Sequence, residues 1–360
     1  VTAEPHWDIT PEALVARNLV AAPLTGVCRR PTPLEPLAAA GHDLGVDLRV
    51  KREDLTDDFG SGHKARKLRY VLAEARRGQA DVVVTAASLP SGQAAGLAAH
   101  AARSGLRAHI VYCGDRQRRP VDARGYYLLT ALLGAAVTWH ENGAWDRWPE
   151  FVDEVMASLR EQGERPFLVP PGASAWPGLL GSVELGLELA EQLPRDGEPV
   201  HLVAAAGSGG TCLGLHLAAR LLGLPWTVHG VSIAGSATEI EREMGRLAQD
   251  FRTRAGDLGA GAPLDHRGVR IYEGARGAGY DLVRPEELEV VRDVLARYGL
   301  LLDPTYLVKT FSGLRDLVKS RVIPAGSRVV LVHTGGGFGL FNDNAAVTEW
   351  TRRSLRAYLA

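Results

Sequence analysis

Apolar residues along this chain fall into two patterns, short continuous runs and longer stretches at helical spacing. The runs at 81–85 (DVVVT), 108–112, 200–206 (VHLVAAA), 227–233 and 328–333 (RVVLVH) predict buried strands, and 48–51 predicts a shorter one. Leu68, Val71, Leu72 and Ala75 recur along one helix face and predict a helix over 64–77. Further helices are predicted over 93–104, 122–133, 211–222, 285–298 and 311–320. Strands that alternate with helices make an α/β fold, a mostly parallel sheet covered on both faces. Residues 241–268 are polar and glycine-rich and predict no element. Arg116, Arg118 and Arg119 read as a solvated loop, and no internal repeat is visible.

Composition narrows the classes. A length of 360 residues suggests two packed units on a scale of ~100–200 residues per domain. With 46% hydrophobic residues the chain has enough apolar surface to order itself. Lys plus Arg is 41 and Asp plus Glu is 42, a net charge of −1 that argues against a nucleic-acid partner. Cys28, Cys113 and Cys212 lie far apart, so neither a disulfide framework nor a metal site is expected. The opening residues lack the basic start and apolar core of a secretory leader. No apolar run approaches the ~20 residues that span a bilayer. A cytoplasmic protein without a membrane partner is expected.

Two segments carry chemistry. The strand at 200–206 runs into Gly207, Ser208, Gly209, Gly210 and Thr211 and then into a helix. At the carboxyl end of a parallel strand, such a loop converges backbone N–H groups and a helix dipole on one anion, which suits a phosphate. Its spacing is neither GxxxxGK[ST] nor GxGxxG, which argues against a nucleoside triphosphate or dinucleotide. The second segment is GSGHKARKL (60–68), where Lys64 opens a helix beside Arg66 and Lys67. Cationic neighbours and burial both lower an amine's pKa and make it a nucleophile. Lysine chemistry has few other candidates, because the remaining lysines are Lys51, Lys309 and Lys319.

Taken in order, RPTPLEPL (30–37), KREDLT (51–56), GSGHKARKL (60–68), GSGGT (207–211), LDPTY (302–306) and HTGG (333–336) resemble the D-cysteine desulfhydrase and aminocyclopropane-carboxylate deaminase family. The resemblance spans roughly 30–341. It implies pyridoxal 5'-phosphate as cofactor and the two-domain, tryptophan synthase β-like fold (fold type II). Each domain is then a mostly parallel twisted sheet covered by helices. The large domain is expected over 1–63 and 172–360 and the small domain over 64–171, with the cofactor between them and a homodimer as the assembly.

The resemblance also implies roles. Lys64 matches the Schiff-base lysine and catalyst at Cα, and Lys67 a second basic residue near the phosphate. Gly207, Ser208, Gly209, Gly210 and Thr211 match the phosphate loop, and Thr334 a neutral partner of the pyridine nitrogen. Tyr306 and Tyr280 match active-site phenols. Ser91, Gly92 and Gln93 match the turn that holds the substrate carboxylate, with Ser91 among the catalytic groups. Gly172, Ala173 and Ser174 resemble a loop beside the substrate.

Departures from the family pattern cluster in the same places. His63 and Gly92 stand where the family has asparagines, so the ring-oxygen contact falls to Gln93, to water or to nothing. His63 is an acid–base group or a polar filler. Leu307 replaces the deaminase glutamate, which argues against cyclopropane ring opening. Phe338 and Gly339 replace Pro-Ala. The implied function is a lyase that eliminates a β-substituent, sulfur first, from a small amino-acid substrate through an aminoacrylate, with a substrate altered from that of the housekeeping members. β-Replacement, and a non-catalytic binding homologue, are the alternatives.

Overall fold

The computed structural model describes residues 10–114, 119–142, 144–256, 264–342 and 344–359. The apolar runs assemble there into two sheets. The larger has six strands, β1 (Leu34–Pro36), β2 (Asp47–Lys51), β7 (Val200–Ala206), β8 (Trp226–Ser232), β9 (Arg270–Tyr272) and β10 (Arg328–Val332). Their spatial order is β1-β2-β10-β7-β8-β9, and only β1 runs antiparallel to its neighbour. The smaller sheet holds β3 (Val82–Ala87), β4 (Arg107–Cys113), β5 (Ala136–His140) and β6 (Pro166–Leu168), all parallel, in the order β5-β4-β3-β6.

Helices cover both faces of both sheets. They are α1 (Pro11–Ala16), α2 (Ala38–Leu44), α3 (Lys64–Arg77), α4 (Gly92–Arg103), α5 (Gly125–Leu132) and α6 (Trp148–Glu161), followed by α7 (Leu179–Gln192), α8 (Gly210–Leu221), α9 (Ala237–Ala255), α10 (Pro285–Tyr298), α11 (Leu307–Lys319) and α12 (Ala345–Leu359). One core packs α7, α8 and α9 against β7 and β8, and another packs α10 and α11 against the opposite face. The small sheet buries Val83 and Ile110 under α3 and α4, and Val84 and Val111 under α6. Among the described residues no helix is long and apolar enough to cross a membrane.

Several elements differ from the sequence reading. Residues 237–255, mostly expected to lack structure, form the long helix α9. Ser236 caps it reciprocally with Glu239, and Ile240, Met244, Leu247, Ala248, Phe251 and Ala255 are its buried stripe. A densely charged outer face dilutes that stripe in the sequence. The predicted 311–320 helix begins instead at Leu307, because the Asp303 carboxylate accepts the N–H groups of Thr305, Tyr306 and Leu307 at 2.8–2.9 Å. The helix predicted from 122 begins at Gly125. Arg116 and Arg118 of the basic cluster, and 257–263 of the polar segment, lie outside the described residues.

Helix α3 is anchored by buried charge. Arg66, with no exposed surface, donates to both oxygens of Glu53 (2.7 and 2.9 Å) and both oxygens of Glu188 on α7 (2.8 and 2.9 Å). Lys51 donates to Glu188 at 2.5 Å, to Gln192 at 2.7 Å and to the Thr32 carbonyl at 2.8 Å. These cations hold the Glu188 carboxyl down at about 2. At Gly181 a β-carbon would fall 2.4 Å from the Arg66 carbonyl carbon and 2.6 Å from the Lys67 nitrogen, so α7 meets α3 backbone to backbone.

Removing one partner of a buried ion pair strands the other charge. Glu188→Ala is therefore expected to cost ~3–5 kcal/mol in urea unfolding. A loss under ~1 kcal/mol would mean that water reaches Arg66 and Lys51.

Candidate active site

The site forms where carboxyl ends of parallel strands meet the start of α3. Beyond β2 the chain turns through Gly60–Ser61 and enters α3 at Lys64; beyond β10 it turns through Thr334–Gly336. A cleft of about 240 Å³, counting the open solvent at its mouth, is lined by Gly60, Ser61, His63, Lys64, Gly92, Tyr306, Thr334, Gly335 and Gly336. Sequence-predicted residues from four separate segments thus share one cavity. The Gly60–Ser61 turn is fixed by Asp57, whose Oδ1 accepts the N–H groups of Phe59 (3.0 Å) and Ser61 (3.1 Å). The buried His100 ring holds its other oxygen at 2.8 Å.

Lys64 points across the cleft. Its Nζ lies 5.0 Å from the centroid of the Tyr306 ring and has no hydrogen-bond acceptor among the described residues. Desolvation lowers its pKa to about 8, and the Asp303 carboxylate opposes that shift without cancelling it. Tyr306 precedes α11, and its phenol shares a short hydrogen bond with that of Tyr280. Burial raises both phenols, Tyr280 to about 12, so both remain protonated at neutral pH. The Tyr280 loop is held by buried Lys309, which donates to the carbonyls of Gly279 (2.5 Å) and Ile233 (2.9 Å).

A second part of the site surrounds the glycine loop. Gly209 adopts φ 78°, a left-handed turn that swings the chain from β7 into α8. The first N–H groups of α8 are those a helix leaves unpaired. Lys67, 2% exposed, donates to Ser174 Oγ at 3.0 Å, and the Ser208 hydroxyl donates to the same oxygen at 2.8 Å. A β-carbon on Gly210 would lie 3.3 Å from Lys67 Nζ, which puts the ammonium against the loop. Thr211 is buried at the helix start. Desolvation, then repulsion from Lys64, lowers the Lys67 pKa to about 7. An ammonium that is buried and, among the described residues, has one neutral partner, beside a helix N-terminus and two hydroxyls, fits a phosphate monoester.

The remaining predicted residues separate by what their side chains do. Ser91 caps α4, its hydroxyl accepting the Ala94 N–H at 3.4 Å. Gln93 is spent internally. Its Nε2 donates to Thr85 and the Pro170 carbonyl (both 3.2 Å), and its Oε1 accepts the Gly172 N–H at 2.6 Å. Only its backbone is left for a ligand. Ser174, expected beside the substrate, sits between Lys67 and Ser208 and accepts a hydrogen bond from each. Thr334 is buried, and its hydroxyl has no partner among the described residues. The Thr334 carbonyl accepts from His63 Nδ1 at 3.0 Å. A carbonyl cannot donate, so Nδ1 carries the proton and Nε2 keeps its lone pair. Burial and the charges of Lys67, Lys64 and Arg66 hold His63 well below its ordinary pKa and leave it neutral.

Sequence reasoning missed Asp57, His100, Asp303 and Lys309. Asp303 sits inside LDPTY, where an acid ahead of an apolar helix is a capping signal. His100 and Lys309 act through partners distant in sequence, and Asp57 acts both through its own turn and through the distant His100.

Along most of its length the chain is similar to pyridoxal-phosphate dependent enzymes. The family model for "Pyridoxal-phosphate dependent enzyme" matches residues 27–335. A putative 1-aminocyclopropane-1-carboxylate deaminase from Pyrococcus abyssi is 32% identical over 320 residues, 88% of this chain and 93% of that one. A D-cysteine desulfhydrase from Klebsiella pneumoniae is 30% identical over 332 residues, 90% and 97% of the two chains. The crystal structure of an ACC deaminase homologue superposes with a TM-score of 0.81 at 29% identity, covering 94% of this chain and 98% of its own.

The Lys64 amine is expected to react with acetic anhydride at a rate that rises through a midpoint near pH 8, against 10.5 for an ordinary lysine. Peptide mapping of cofactor-free protein after brief exposure reads this directly. A midpoint at the ordinary value would show that the amine is solvated.

Proposed function

This chain belongs to the pyridoxal-phosphate dependent enzymes of fold type II, and from that premise we propose that it is a lyase that eliminates a β-substituent, sulfur first, from a small amino acid. The carrying observation is the opposition, across one cleft, of the Lys64 amine and the hydrogen-bonded phenols of Tyr306 and Tyr280.

When bound, the cofactor supplies an electron sink for negative charge at the substrate Cα. Lys64 would hold it at its aldehyde carbon. Lys67, Ser208, Thr211 and the N–H groups of the Gly207–Gly210 turn would hold its phosphate, with Ser174 orienting Lys67. The Thr334 hydroxyl, which lines the cleft, would serve as the hydrogen-bond partner of its ring nitrogen. The N–H groups at the start of α4, with Ser91, receive the substrate carboxylate. The Lys64 amine removes the Cα proton. Tyr306, backed by Tyr280, gives its proton to the departing sulfur as the Cβ–S bond breaks, so the leaving group departs as a thiol. Leu307 supports elimination over ring opening, since it is fully buried among core residues and brings no acid to the cleft. We assign β3–β6 and their helices to a small domain over 64–171 and the six-stranded sheet to the large domain.

Purified protein supplied with pyridoxal phosphate is expected to show a visible absorption band that D-cysteine or a related amino acid shifts, with release of pyruvate and ammonia. Lys64→Ala should lose the parental band. No band in the parent would sink the proposal, and a new amino acid formed only with an added thiol would replace elimination by β-replacement. Tyr306→Phe is expected to lower kcat ~10²–10⁴-fold while the band persists. Lys67→Met should weaken cofactor binding, read by dialysis, while Lys67→Arg retains most of it.

A further inference from the structure

The cleft has one wall without side chains. Gly60 and Gly92 line it, and the space their side chains would fill is taken by Tyr126 of α5. A β-carbon at Gly92 would stand 3.0 Å from the Tyr126 phenolic oxygen and 2.8 Å from the Gly60 carbonyl oxygen. One at Gly60 would stand 3.0 Å from the same phenol and 2.7 Å from the Phe338 ring. The phenol therefore lies directly behind two bare α-carbons.

Tyr126 is fixed there on every side. It has no exposed surface. Its hydroxyl donates to the Gly60 carbonyl at 2.9 Å, and its backbone N–H donates to the Asn342 side chain at 3.1 Å. Phe338 meets its ring edge-on, with centroids 5.8 Å apart. The helix that carries Tyr126 belongs with the small sheet, whereas Phe338 and Asn342 follow β10 of the large one. Ring, glycines and strap join the two halves at the back of the cleft.

We propose that Tyr126, braced by Phe338, is a specificity-determining residue that limits how large a substituent the cleft admits on its Gly60–Gly92 side. The proposal rests on the cleft being the substrate site, as read above. Because Gly60 and Gly92 interpose only backbone, truncating the phenol opens space directly behind the cleft wall. A Tyr126→Phe change keeps the ring and the wall; Tyr126→Ala removes both. Phe338 is half-buried, so its truncation loosens the brace with little risk to folding.

The test uses cofactor-loaded protein and both enantiomers of cysteine and its S-methyl, S-propyl and S-benzyl derivatives, with dissociation constants read from the visible spectrum. In the parent, affinity is expected to fall as the S-substituent grows. Tyr126→Ala should improve S-propyl and S-benzyl relative to S-methyl by about tenfold or more. Phe338→Ala should move the ranking the same way to a smaller extent, and Tyr126→Phe should keep the parental order. A purely structural role would lower stability and leave the ranking alone. An unchanged ranking in Tyr126→Ala, or in Phe338→Ala should the first variant not fold, overturns the proposal. A parent whose spectrum responds to no amino acid overturns the substrate-site reading itself, and the proposal with it.

Discussion

Arg66 sits between two carboxylates, shut off from bulk solvent, and the site depends on that arrangement. Side chains three residues apart share one helix face. Arg66 and Arg69 therefore project from one side of α3, where Arg66 meets Glu53 and Glu188 and Arg69 meets Glu184. Lys64 and Lys67, also three apart, project from the other side toward the cleft and the glycine loop. A turn of the helix about its axis would move all four at once. The buried network fixes that rotation, and the missing β-carbon at Gly181 fixes the depth at which α3 rests on α7. Buried ion pairs gain little net stability over apolar packing. Here the network's evident effect is positional.

That anchoring has an electrostatic consequence. The carboxylates of the network neutralise the arginines, leaving the two lysines with almost no counter-charge. Lys64 has Asp303 at a distance; Lys67 has a serine hydroxyl. Both amines are lowered, and Lys67 further by its neighbour. An anion at the start of α8 answers Lys67 directly and relieves the pair. A phosphate held there, as proposed, would thus offset the repulsion that Lys64 exerts on Lys67 across one turn of helix.

Much of this was legible in the sequence, for a physical reason. Buried strands such as Val200–Ala206 are continuous apolar runs, and the glycine loop must follow one of them to present its N–H groups. Short edge strands such as β1, β6 and β9 carry no such run. Helix α9 was hidden by its charged face, although Ile240, Met244, Leu247 and Phe251 hold a helical period. Within the site, residue types disclosed which groups could react but not how each side chain is spent. Gln93 looks like a ligand-binding amide and is instead consumed by Thr85, Pro170 and Gly172. Tyr126 carries no local signal, since it matters only through Gly60, Gly92 and Phe338, all brought to it by the tertiary fold.

Burial disfavours charge of either sign, and the cleft turns that single rule into a division of labour. It lowers an amine and raises a phenol, so the same surroundings ease deprotonation of Lys64, brought down to about 8, and keep Tyr306 protonated. In the proposed elimination the first is the state required of a base at Cα and the second the state required of an acid at the leaving group. His63 follows the rule and stays neutral. Asp303 follows it too, its carboxyl raised by burial, while the N–H groups of Thr305, Tyr306 and Leu307 oppose that rise. That carboxylate also caps the helix behind Tyr306, so the group that tempers Lys64 and the group that aims the phenol are one side chain.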